Sequence, residues 1–218
     1  WLAFALAFAC GIYLVRHAET DCSAARRICG EVDAPLNVRG VAMAECLAIA
    51  YDKRPIVAIY SSPQRRAVDT AVPLARGLGL TVAQDTDWRE LGFCAWDTLT
   101  QDEAAARDPE RFAAWLEDPV ATTPPGGESA LAVAQRVSQA FERIRSHSTG
   151  DCMIVAHKGS LRLLLCSLLG IDLRLFRHRL GQQPAGVSCL EWRTHGPLLH
   201  TLSDTSHLPE ELRSHLGS

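Results

Sequence analysis

The sequence predicts a three-layer α/β fold, with a mainly parallel sheet flanked by helices on both faces and a small helical insertion as a lid. Three observations carry this. Short apolar runs bounded by turn residues alternate with longer amphipathic stretches, the pattern of strands and helices built around a parallel sheet. The chain has 218 residues and an apolar content of 47%, enough for one sizeable core. Residues 98–127 break the alternation. They are rich in Ala, Asp and Glu and end in Thr122-Thr123-Pro124-Pro125-Gly126-Gly127, which marks an inserted helical lid with a hinge.

The elements follow in order. Residues 1–10, from Trp1 to Cys10, are almost wholly apolar and read as an N-terminal extension before a domain over 11–218. The apolar run ends at Val15, short of the ~20 residues a membrane helix needs, and no basic segment leads it. A soluble, cytoplasmic protein is expected, with an upstream anchor or targeting segment as the alternative. Strands are expected near 11–16, 56–60, 80–84, 152–156, 187–193 and 198–202. Asn37 can cap a helix whose positions Val38, Ala42, Cys46 and Ile49 form one face. Ser62 reads as an N-cap and Pro63 as a first helical residue. After Ser129, a helix shows Ala130, Ala134, Val137, Phe141 and Ile144 at helical spacing. Another, from Gly159, carries Leu161, Leu164, Leu165, Leu168 and Leu169, with Gly170 as its stop.

The chemistry sits at segment ends. Val15-Arg16-His17-Ala18-Glu19 delivers an arginine and a histidine at the carboxyl end of the first strand, where open α/β sheets place their ligands. An imidazole can attack phosphorus without first losing a proton, and a guanidinium can grip phosphate oxygens bidentately. Arg65 falls in the first turn of the expected helix, where free amides and the dipole favour an anion. The strand at 152–156 ends in His157, and Trp88-Arg89-Glu90-Leu91-Gly92-Phe93 sets a carboxylate in a loop. Two arginines, two histidines and a glutamate make a phosphoryl-transfer site without a metal. Cations near His17 should also disfavour its imidazolium form. Glu90 can give a proton to the leaving oxygen and take one from water. Arg66 and Arg89 read as solvated or salt-bridged neighbours of these groups.

Together these segments resemble the histidine phosphatase superfamily, in its phosphoglycerate mutase-like branch. The matching elements are Leu14-Val15-Arg16-His17-Ala18-Glu19-Thr20, Asp33-Ala34-Pro35-Leu36-Asn37-Val38-Arg39-Gly40 and Ser61-Ser62-Pro63-Gln64-Arg65-Arg66-Ala67. They continue with Arg89-Glu90-Leu91, Pro125-Gly126-Gly127-Glu128-Ser129 and Val155-Ala156-His157-Lys158-Gly159, in family order over roughly residues 11 to 203. The resemblance implies that His17 is phosphorylated, that Arg16, Arg65 and His157 bind the phosphoryl group, and that Glu90 is the proton donor and acceptor. It also implies no cofactor. Five positions depart from the pattern. Ala18 replaces the usual glycine, and Ser23 stands where asparagine is common, with a hydroxyl that can still reach phosphate. Lys158 adds a cation near the pocket mouth, and Trp96-Asp97-Thr98 replaces Trp-Glu-Gly. Ser23 and Lys158 thus join the expected substrate-binding set.

Mutases of this type carry a longer insertion after the proton-donor glutamate and an arginine pair for a second phosphate. Here Glu90 is followed by the short Leu91-Gly92-Phe93-Cys94-Ala95-Trp96-Asp97, which resembles α-ribazole-phosphate phosphatases and broad-specificity relatives. The expected activity is metal-independent hydrolysis of a small phosphorylated metabolite through a phosphohistidine. A phosphoglycerate mutase-type phosphotransferase and a non-catalytic phosphate-binding module are the alternatives. A net charge of −3 gives no reason to invoke nucleic acid. Expected partners are a small phosphorylated substrate and, as an option, a second copy in a homodimer, with no stable membrane insertion. The eight cysteines include no Cys-x-x-Cys pair and read as small buried hydrophobes of a reducing compartment, so no metal site is expected. His147, His178, His195, His200, His207 and His215 are read as surface or packing residues. The run Arg174, Arg177, His178, Arg179 reads as a solvated helix face, with a substrate-facing patch as the alternative.

Overall fold

Strand β1 (Gly11–Arg16) and strand β4 (Asp151–Ala156) pair in parallel, Ile12 beside Cys152 and Arg16 beside Ala156, and this pair is the middle of the molecule. In the computed structural model, which describes residues 11–213, the sheet order is β3-β2-β4-β1-β5-β6. Strands β2 (Ile56–Ser61) and β3 (Val82–Gln84) extend the parallel half. Strands β5 (Val187–Arg193) and β6 (Gly196–Asp204) add an antiparallel edge. The expected strands all form, with ends within two residues of their expected places. The apolar stretch 1–10 and His215 lie outside the described residues.

Side chains alternate across a strand, so β1 and β4 each feed two cores. Ile12, Leu14, Cys152, Ile154 and Ala156 face one side, where α6 (Ala130–His147) and α7 (Lys158–Leu169) cover them. Tyr13, Val15, Met153 and Val155 face the other, covered by α2 (Val38–Tyr51) and α3 (Arg65–Leu78). The apolar stripe of α6 is the one its spacing predicts, and Gly170 ends α7 at φ 68°. No helix among the described residues is long and apolar enough to cross a membrane.

Two local expectations are corrected. Helix α2 buries Gly40, Met43, Ala44 and Leu47, whereas Val38 and Ile49 are 89% and 72% exposed. Asn37 does cap it, by accepting from the Gly40 amide, but Gly40 then lies against the Glu19 carbonyl and turns that face inward. Helix α3 begins at Arg65, with Gln64 as N-cap, two residues later than Ser62 and Pro63 suggested; the Ser62 hydroxyl accepts from the Gln64 amide one step outside the helix.

A four-residue helix, α1 (Asp21–Ala24), follows the first motif. The insertion contains α4 (Gln101–Arg107) and α5 (Pro109–Glu117). Its Phe112 and Trp115 join the core on the α6 and α7 side of the sheet: Trp115 lies 5.6 Å from Phe93 and 5.7 Å from Trp96, centroid to centroid, and Phe112 lies 5.2 Å from Trp96. A last short helix, α8 (Phe176–Arg179), packs on α7 beside it. The cysteines among the described residues are all free, and Cys152 and Cys166 are buried as small apolar groups.

A paired substitution tests how tightly α2 is seated. A Cβ at Gly40 would stand 2.0 Å from the Glu19 carbonyl oxygen, so Gly40→Ala should cost about 1–3 kcal/mol in urea unfolding. Gly77, in the last turn of α3, has open space around it, and Gly77→Ala should add about 0.5–1 kcal/mol. Equal effects at both positions would show that close approach at Gly40 is not what holds α2.

Candidate active site

The parallel pairing of β1 and β4 brings the residues that follow them together. The His17 amide donates to Ala156 O at 2.9 Å, and the His17 and His157 rings lie 5.2 Å apart. Nδ1 of His17 is 2.7 Å from Ala18 O. A carbonyl can only accept, so this nitrogen carries the proton and Nε2 keeps the lone pair. Burial, and then the charges of Arg66 and Arg16, hold the ring well below the usual histidine range. His157 is fully buried, and its Nδ1 accepts from Arg66 Nε at 3.1 Å. The proton of the neutral ring therefore sits on Nε2, which has no protein partner. Burial, with Arg66 and His17 adding to it, pushes this ring down as well. The two imidazoles thus differ in tautomer: one offers a lone pair, the other a donor.

Two guanidinium groups stand beside them. Arg16 donates from Nη1 to Gln182 O at 2.7 Å, its Nε is buried without a partner, and burial lowers it to about 10. The second is Arg66. It is fully buried and donates to Val32 O (2.6 Å), Gly30 O (3.0 Å) and Cys29 O (3.2 Å) besides His157. This corrects the sequence expectation on both arginines. Arg65 is exposed, pairs with Asp69 one turn on at 3.3 Å and lies outside the pocket. With α3 starting at Arg65, a single step of about 100° turns that residue outward and its neighbour inward.

Glu90 sits across the site. Its Oε1 accepts from the amides of Leu91 (2.8 Å) and Ser160 (3.0 Å), and its Oε2 from that of Gly159 (3.0 Å). The carboxylate therefore occupies the amino end of α7, where orphan amides and the helix dipole favour negative charge. Gly159 permits this, since a Cβ there would lie 2.6 Å from Glu90 Oε1. Sequence reading missed what holds the Glu90 loop. Arg136 of α6 donates to the carbonyls of Asp87 (2.6 Å), Arg89 (2.7 Å) and Glu90 (3.0 Å), and pairs with Glu128 at 2.8 Å. Gln64 bridges the Glu90 amide to Gly30 O. Nothing in the spacing of α6 singles out Arg136; only the Gly126-Gly127-Glu128 run hinted at its partner.

Arg16, His17 and Glu90 line a cavity of about 210 Å³, whereas His157 and Arg66 are fully buried and do not line it. Ser23 lines it, although its hydroxyl is engaged in capping α1, accepting from the Thr20 amide and donating to Thr20 O. Lys158 lines it too, and burial, followed by the charges of Arg16 and Arg162, lowers it to about 7. The basic run near 174–179 divides. Arg177 turns into the cavity, Arg174 pairs with Asp172 in solvent, and His178 and Arg179 are exposed.

Lys158 supplies a stability test with a definite sign. Its folded value near 7 lies below the unfolded value of 10.5, so the unfolded chain binds the proton more readily. The lysine then costs stability in full below pH 7, and that cost fades as pH rises from about 7 to about 10. Lys158→Met should raise the melting temperature clearly at pH 6 and much less at pH 9.5. A gain of the same size at both values would contradict the low folded value.

The matches to known proteins extend over the same elements. Residues 12–205 match the histidine phosphatase superfamily, branch 1. Phosphoserine phosphatase 1 of Hydrogenobacter thermophilus is 32% identical over 200 residues, covering 91% of this chain and 94% of that protein. The bifunctional protein Rv2228c of Mycobacterium tuberculosis is 40% identical over 156 residues, and the chain spans 43% of that relative's length. Among solved structures, YhfR of Bacillus stearothermophilus superposes with a TM-score of 0.85 at 28% identity, covering 91% of this chain and 99% of that one. With paired histidines at the ends of β1 and β4 and a matching sequence over nearly all the described residues, the chain belongs to the histidine phosphatase superfamily.

Proposed function

We propose that the protein is a metal-independent phosphomonoesterase that works through a phosphohistidine at His17. The observation that carries this is the fixed, neutral His17 ring, with Nδ1–H on Ala18 O and the lone pair at Nε2, beside the buried charges of Arg16 and Arg66. Nε2 attacks phosphorus and the ester oxygen departs. In-flight charge on the equatorial oxygens is met by Arg16 and by the Nε2–H of His157, which Arg66 orients from behind. Glu90 protonates the leaving oxygen, then takes a proton from the water that cleaves the phosphohistidine. Positive charge comes from guanidinium groups, so divalent metal is not required. Named relatives include phosphatases for phosphoserine and, in Mycolicibacterium vanbaalenii, for glucosyl-3-phosphoglycerate, which supports a small phosphorylated metabolite as substrate. One relative, in Proteus mirabilis, is a probable phosphoglycerate mutase, so transfer between 2- and 3-phosphoglycerate belongs in the same assays.

His17→Ala should abolish turnover, and rapid quench of the wild type should trap phosphate that is acid-labile and base-stable. Phosphate on serine, on no residue, or full activity without His17 would end the proposal. Activity should also persist in EDTA; loss restored by a divalent ion would overturn the metal-free mechanism.

Glu90 is tested by leaving-group dependence. Glu90→Gln should lose about 10²–10⁴-fold on an alkyl phosphate and clearly less on p-nitrophenyl phosphate, whose leaving group needs little protonation. Equal losses on both would remove Glu90 as the acid.

A further inference from the structure

Two of the cysteines expected to be small buried hydrophobes are neither buried nor apart. Helix α1 carries Cys22, and the chain then reverses through Arg26, whose φ of 54° is the left-handed value that often ends a helix. The Arg27 amide donates to Cys22 O at 2.9 Å and the Arg26 amide to Ser23 O at 3.1 Å, which closes the turn. Cys29 is thereby brought back onto Cys22. The Cys22 sulfur lies 3.9 Å from Ile28 O, and the two thiols are hydrogen-bonded to each other. Both residues are half-buried, and Cys29 lines the active-site cavity together with His17 and Glu90. The two sulfurs differ in acidity. The hydrogen bond from Cys29, with the charges of Arg66 and Arg27 added, lowers Cys22 to about 7 against the effect of burial. The same bond, and then burial, push Cys29 up.

We propose that Cys22 and Cys29 are a reversible disulfide-forming pair at the cavity wall, oxidised by low-molecular-weight disulfides and lowering turnover when joined. The Cys22 thiolate attacks one sulfur of a disulfide such as oxidised glutathione and expels one glutathione thiolate, which takes a proton from water. Cys29 then gives its proton to solvent, attacks the Cys22 sulfur of the mixed disulfide and expels the second glutathione. Two protein thiols are oxidised and one glutathione disulfide is reduced to two thiols, so electrons and protons balance. An acidic, partly exposed thiol beside a second thiol is the arrangement that redox-responsive cysteines share. The bond reaches the site through Arg66. Sulfurs in a disulfide stand closer than hydrogen-bonded thiols, so oxidation draws Cys29 toward α1. Cys29 O accepts from Arg66 Nη2 at 3.2 Å, and Arg66 Nε donates to His157 Nδ1 at 3.1 Å. A shift of this loop therefore disturbs the ring that lies beside His17.

The test treats the folded wild type with oxidised glutathione, blocks the remaining thiols and maps tryptic peptides without reduction. Trypsin cuts after Arg16, Arg26, Arg27 and Arg39, so a Cys22–Cys29 bond joins peptide 17–26 to peptide 28–39. That linked pair should form, and kcat on p-nitrophenyl phosphate should fall about 10- to 100-fold, with dithiothreitol reversing both. Cys29→Ser should stop at a mixed disulfide of Cys22 with glutathione. Cys22→Ser should form no link and keep its turnover in the oxidant. Mixed disulfides on the wild type without the linked peptides, or Cys22 joined to another cysteine, would overturn the pair. Linked peptides with unchanged kcat would overturn its action on the site. Because the bond is read by mass, a sample that hydrolyses no phosphomonoester defeats the phosphomonoesterase reading and not the pair.

Discussion

Arg66 donates from all three nitrogens of its guanidinium group to partners inside the protein, and the form of the site follows from those bonds. Three of its acceptors are carbonyls of the 29–32 loop and the fourth is His157 Nδ1. Accepting there fixes the His157 tautomer, which in turn leaves Nε2–H as the donor beside His17. The loop that Arg66 holds is pinned from its other side by Asp97, whose carboxylate accepts from the amides of Gly30 (2.6 Å) and Glu31 (3.1 Å). A Cβ on Gly30 would stand 2.5 Å from Leu91 O, so this loop packs directly on the segment that carries Glu90. Removing a fully buried guanidinium would leave its acceptors unsatisfied, a heavier penalty than the bonds themselves are worth. The same side chain therefore supports the loop, the ring orientation and the local charge.

That charge adds to burial in setting how the histidines behave. Burial is the larger influence on His17, with Arg66 and Arg16 adding to it, and the three act in one direction. A ring kept neutral is a ready nucleophile. In the proposed reaction the cations that suppress protonation are also the ones that meet the phosphoryl group, so nucleophile activation and oxyanion stabilisation would come from one arrangement. The arrangement stores electrostatic strain, since several like charges share a small volume. Arg136 shows how the fold distributes the burden on the opposite wall. It gathers three carbonyls and the Glu128 carboxylate, which neutralises it locally and fixes the Glu90 loop.

Much of this was legible in the sequence because it depends on short-range signals. Strands β1 and β4 are buried on both faces and so read as unbroken apolar runs, and His17 and His157 are the residues that follow them. Glu90 was legible from its motif. The failures come from angle rather than identity. Ser62 and Pro63 look like a helix start, but α3 begins at Arg65, and on a helix a small shift in start turns a different arginine inward. Helix α2 is apolar on several sides, so spacing alone could not choose between Val38-Ala42-Cys46-Ile49 and the observed Met43-Ala44-Leu47 face. The choice was made by Gly40 approaching a carbonyl from another segment, a long-range fact. Arg136 and Arg162 were missed for the same reason, and Arg177 was read as part of a solvated face with a substrate-facing patch as the alternative: each is an ordinary arginine on a helix until the tertiary fold gives it neighbours.

The amino end of α7 shows how the parts divide the work. A helix start after a strand is a ready anion site, and phosphate is its common occupant. Here the Gly159 and Ser160 amides hold the Glu90 carboxylate instead. The proposed reaction thereby leaves the phosphoryl group to side chains, Arg16 and the two histidines, whose positions are set by strand ends and by Arg66. Giving the helix terminus to Glu90 keeps a carboxylate beside several cations without leaving its charge unsupported. It also places that carboxylate one residue from the Lys158 side of the cavity, where Arg162 feels its charge. A side chain at position 159 would break this arrangement at its narrowest point, because the carboxylate and the helix backbone meet there with no room for a Cβ.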